Sequence, residues 1–127
     1  MPRAQDLIDR LATLLQAHVD LVSSLENTVM ASTATGDHDR LSEELESLRS
    51  LRRRILDDMR SLQNAGLEGE ELEDAWALAG FYLEAGSRRE ERALEKASKL
   101  VDTSGDLREV EELRDEARRL MSMKDKV

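Results

Sequence analysis

A chain of 127 residues is the size of one ordinary domain, and 39% hydrophobic with 37% charged residues gives it material for both a core and a solvated surface. Its 28 acids outnumber 19 bases to give a formal charge of −9, which opposes adhesion to nucleic acid or anionic lipid, since both require cations to neutralise phosphates. Having no cysteine, the chain has no disulfide, thiolate metal site or cysteine nucleophile. The opening MPRAQDLIDR lacks a signal-peptide pattern, Pro2 lies outside any element, and no run of about 18 apolar residues occurs, so the expected location is cytoplasmic. Leucine occurs 21 times against eight for isoleucine plus valine, a bias towards helix over sheet.

The first helix is predicted from Ala4 to about Ala31. Leu7, Leu11, Leu14, His18, Leu21 and Leu25 form one stripe, and Ile8, Ala12, Leu15, Val19, Val22 and Val29 a second beside it. Two adjacent stripes are wider than a two-stranded seam, which implies a bundle. Gly36 then supplies a left-handed stop and Asp37 a cap for the next helix, expected over His38 to Asn64. That helix carries Leu41, Leu45, Leu48, Arg52, Ile55, Met59 and Leu62, a heptad seam broken once by arginine. The simpler reading of Arg52 lays its stem along the seam with the guanidinium in solvent. The alternative makes it a register-setting residue paired with an acid on another helix. The short connection predicts an antiparallel hairpin over residues 1–65.

Three shorter helices are expected over 66–127, completing a single all-α domain. The first, about Glu70 to Ala85, holds every aromatic residue, and from Leu67 to Gly86 there are six acids and no base. Trp76, Phe81 and Tyr82 read either as core, through their large buried area, or as an interface anchor on an acidic surface. Gly86 followed by Ser87-Arg88-Arg89-Glu90 reads as a helix stop and a capping box. The next helix extends to about Val101, and a second stop and start is expected at Gly105. The last helix sets Leu107, Val110, Leu113, Ala117, Leu120 and Met121 on one side, and MSMKDKV is expected to fray.

No catalytic arrangement is visible. His18 and His38 belong to no Glu-x-x-His or His-x-x-x-His pair, and neither a Walker-type loop nor G-x-S-x-G occurs, so the chain reads as a non-enzyme without metal or cofactor. His18, in an apolar stripe, reads as a packed, hydrogen-bonded or interface residue. LAGFYLEAGSRREERALEKASKL has the outline of a helix-turn-helix, but Glu90, Glu91 and Glu95 would face the groove, against nucleic-acid binding.

The hairpin LATLLQAHVDLVSSLENTVMASTATGDHDRLSEELESLRSLRRRILDDMRSL resembles that of flagellar type III export chaperones of the FlgN and FliT kind. The resemblance spans Leu7 to Leu62 and implies a small acidic helical protein that shields an export substrate in a helix-on-helix groove. The reading of the whole chain is a helical bundle that binds another protein, as adaptor, chaperone or assembly subunit. Its interface candidates are Trp76, Leu78, Phe81, Tyr82 and Leu83, with His18 and Arg52. The alternative is a homo-oligomer, such as a homodimer, in which the Leu41 to Leu62 seam pairs with itself.

Overall fold

The computed structural model describes residues 3–125, and every regular element in it is helical. Pro2 and the last two residues of MSMKDKV, Lys126 and Val127, lie outside the described residues. Helix α1 runs Ala4–Thr35, a turn longer than its stripes suggest, and ends where Gly36 enters the left-handed region at φ 77° and donates its N–H to the Ser32 carbonyl at 2.8 Å. Helix α2 follows over Asp39–Gln63, with Asp37 Oδ1 accepting the Asp39 N–H at 3.0 Å. At about 1.5 Å per residue the two are about 48 and 38 Å long, and they form the expected antiparallel hairpin.

The second half departs from expectation at Gly86. Helix α3 (Glu70–Phe81) passes through one π-helical turn, Tyr82–Gly86, into α4 (Ser87–Ala97) without leaving helical backbone, and Gly86 itself has φ −57° and ψ −51°. Instead of two helices and a glycine stop there is one rod, so the turn required by a helix-turn-helix does not exist. The buried positions explain the π turn: Tyr82, Gly86 and Glu90 follow at steps of four, wider than the 3.6-residue α period, and the extra residue keeps all three facing inward. The rod ends at Ala97, earlier than expected, and Leu100 and Val101 donate back to the Ala97 carbonyl. Helix α5 (Ser104–Asp125) starts before Gly105, with Asp102 Oδ1 accepting the Ser104 N–H at 3.0 Å. It stays helical through Met121–Asp125, where fraying was expected.

Side-chain pairs give the directions. Ser24 and Thr28 meet Glu44 across antiparallel α1 and α2, while Arg49–Asp106 and Gln63–Glu116 run parallel between α2 and α5. Lys124–Glu73 and Arg114–Ser87 set the rod antiparallel to α5, and hence parallel to α1. The result is an up-down-up-down four-helix bundle with neighbours in the order α1, α2, α5, rod. Its apolar interior is two stacked clusters. One gathers Leu11, Leu15, Ile55, Met59, Ala79, Tyr82 and Leu120, and the other Leu25, Leu41, Leu45, Leu48, Leu94 and Val110.

Candidate functional sites

Between those clusters lies a charged layer to which all four rods contribute. Arg52 of α2 is fully buried and spends each guanidinium nitrogen on a different acid: Nε donates to Glu90 Oε2 at 3.0 Å, Nη2 to Asp106 Oδ1 at 2.8 Å, and Nη1 to Glu109. The other Glu90 oxygen accepts from His18 Nε2 at 3.0 Å, and Asp106 also accepts two bonds from Arg49, each at 3.0 Å. Burial by itself would push the Glu90 carboxyl up; the hydrogen bond and charge of His18 and the charge of Arg52 outweigh it and hold the group below its ordinary value. Burial likewise opposes the charge of Arg52, and Glu90 and Asp106 overcome it.

Tyr82 is sealed against this layer, its ring 5.6 Å from that of His18. Its hydroxyl is buried without a hydrogen-bond partner, and burial, followed by the nearby Glu90 charge, raises its pKa. Gly86 belongs to the same packing. A Cβ there would stand 3.3 Å from His18 Nδ1, so the glycine admits the imidazole rather than ending a helix.

These positions correct two expectations. The Arg52 guanidinium does not reach solvent, because Glu90, Asp106 and Glu109 hold it inside. With His18 and Tyr82 also buried, three of the interface candidates lie in the interior of the chain and offer a partner nothing. The Leu41 to Leu62 seam is buried within the chain too. The clue to the layer was the coincidence of His18 and Arg52 as the polar members of two apolar stripes. Glu90, Asp106 and Glu109 carried no comparable signal among so many acids.

The remaining candidates divide between two faces. Leu78 and Leu83 are half-buried against the first cluster. Trp76, 38% exposed, faces α5 and is covered by Lys124, whose Nζ stands 4.5 Å from the ring centre and 2.9 Å from Glu73. Phe81, 45% exposed, faces α1 instead and lines a groove with Val19, Val22, Ala85, Gly86 and Arg89 whose cavity volume is about 170 Å³. Arg89 closes one end of the groove, donating to Glu26 Oε1 at 2.6 Å and to Ser23 Oγ at 3.1 Å.

Among the described residues, no group of His, Asp and Glu is arranged to hold a metal ion, and no helix is long and apolar enough to cross a membrane. No protein-family model matches the sequence, and neither the curated proteins nor the solved structures yielded a match.

Proposed function

We propose that this chain is a non-enzymatic helical bundle that binds another protein, as adaptor, chaperone or assembly subunit, by receiving a helix along the groove between α1 and the rod. The observation that carries this reading is Phe81: a large ring left 45% exposed beside Val19, Val22 and Ala85, on a bundle whose interior is already filled by its own side chains. Burying the part of the ring still exposed is worth about 1 kcal/mol, which an interface can use and the isolated chain does not. A partner helix is favoured over a strand because every described element is a helix and no sheet edge is on offer. An export chaperone of the flagellar kind is the narrower form of the same proposal.

The test is a photo-crosslinking amino acid placed at position 81 in cells, with one at exposed Arg108 as control. A discrete adduct from position 81 alone, whose partner rebinds in purified form to the native chain and about tenfold or more weaker to Phe81→Asp, supports the reading. Absence of any adduct specific to position 81 overturns it.

A further inference from the structure

The exposed face of the rod is ordered symmetrically about Phe81. Glu70, Asp74, Ala77 and Phe81 follow along α3 at steps of four, three and four residues, and Ala85, Arg88 and Arg92 continue at four, three and four through the π turn into α4. Such steps keep to one side of a helix, and all of these residues are exposed except half-buried Ala85. Counted outwards from Phe81, an alanine stands four residues away on either side, Asp74 and Arg88 seven, and Glu70 and Arg92 eleven. Equal distance thus matches small with small and acid with base. We infer that a second copy of this chain covers Phe81, its rod antiparallel to the first about a two-fold axis at that ring.

A two-fold interface sets residue i against j and j against i. Antiparallel rods centred on Phe81 therefore place Glu70 opposite Arg92, Asp74 opposite Arg88 and Ala77 opposite Ala85 of the other copy, each contact made twice. Parallel rods would instead set every charge against its like, which opposes association. The charges are free to pair: among the described residues Glu70, Asp74 and Arg92 have no ion-pair partner, and Arg88 approaches Glu84 only to 3.9 Å. Ala77 and Ala85 let the rods come close, since the side chains at a helix contact set its interaxial distance. Between them Phe81, 45% exposed, meets its own copy as an aromatic pair. This inference goes beyond the partner-binding reading and uses the same ring, so a partner helix and the second copy compete for it.

Sedimentation equilibrium over roughly 1 µM to 1 mM at low salt should show the 14.4 kDa chain passing into a dimer. Asp74→Arg and Arg88→Glu should each weaken that dimer at least about tenfold with helicity unchanged, because each sets like charges opposite one another twice. The double variant Asp74→Arg/Arg88→Glu, and an equal mixture of the two single variants, should recover it, since both restore opposite signs at every contact. The chain has no cysteine, so introduced cysteines can report the register. Ala77→Cys mixed with Ala85→Cys should form a disulfide on mild oxidation, and neither should do so alone, as equal positions would stand about 12 Å apart along the rods. A monomer throughout that range overturns the inference and leaves the partner-binding reading standing. A dimer indifferent to Asp74 and Arg88, one that the double variant fails to recover, or one that the mixed cysteines fail to join overturns it as well.

Discussion

Arg52 stands where a heptad seam calls for leucine, and three acids from the C-terminal half meet it there. Removing one member of such a buried set leaves its partners charged and unpaired, which costs more than the set contributes when complete. Arg52→Met should therefore lose about 3–5 kcal/mol at neutral pH in urea unfolding; a loss below about 1 kcal/mol would show that the layer is solvated. The pH dependence has a definite sign. Glu90 is held below its ordinary value of 4.5 in the folded chain, so its contribution is fully present above that value and is lost as pH falls through the lower folded one. Urea midpoints should fall below about pH 4.5, and the fall should be shallower in Glu90→Gln. At this scale the sequence was half legible. A polar residue in an apolar seam marks itself, as Arg52 and His18 do, but its partners are chosen by packing between distant helices and leave no local trace.

At the scale of elements, the two helical glycines of the rod have opposite roles. A Cβ on Gly80 would meet only the flexible end of Met121, at 3.6 Å, whereas one on Gly86 would meet His18, itself tied to Glu90. Gly80→Ala should stabilise the chain by about 1 kcal/mol through helix propensity. Gly86→Ala should forfeit that gain, and Gly86→Val should lower the thermal midpoint with loss of near-ultraviolet signal from Tyr82. Equal stabilisation by alanine at both positions would show that the His18 contact does not constrain the π turn. Helices α1 and α2 were legible because long two-stripe patterns and Gly36 act locally. Gly86 misled because a glycine before a Ser-x-x-Glu run looks the same whether it ends a helix or clears room for a ring. The distinction lies in α1, some seventy residues earlier.

Across the whole molecule, the up-down-up-down arrangement buries on its own what a lone hairpin would expose. With pairing between copies placed on the rod, Phe81→Asp should scatter light as a monomer near 14.4 kDa over a wide concentration range. A dimer that persists in Phe81→Asp would mean instead that another face pairs. The all-helical class was readable from composition and period, and the four-rod closure was not, because it depends on the rod continuing through Gly86.

The charged layer also bears on how the chain comes off the ribosome. Synthesis completes α1 and α2 before the acids of α4 and α5 exist, and chains fold from the N-terminus as they emerge. During that interval Arg52 and His18 sit unpartnered in the exposed seam, where burial against a neighbouring hairpin would strand a charge in an apolar contact. Association of half-made chains through these faces would therefore carry a desolvation cost, one that closure of the bundle removes as Glu90, Asp106 and Glu109 meet Arg52 and Glu90 meets His18.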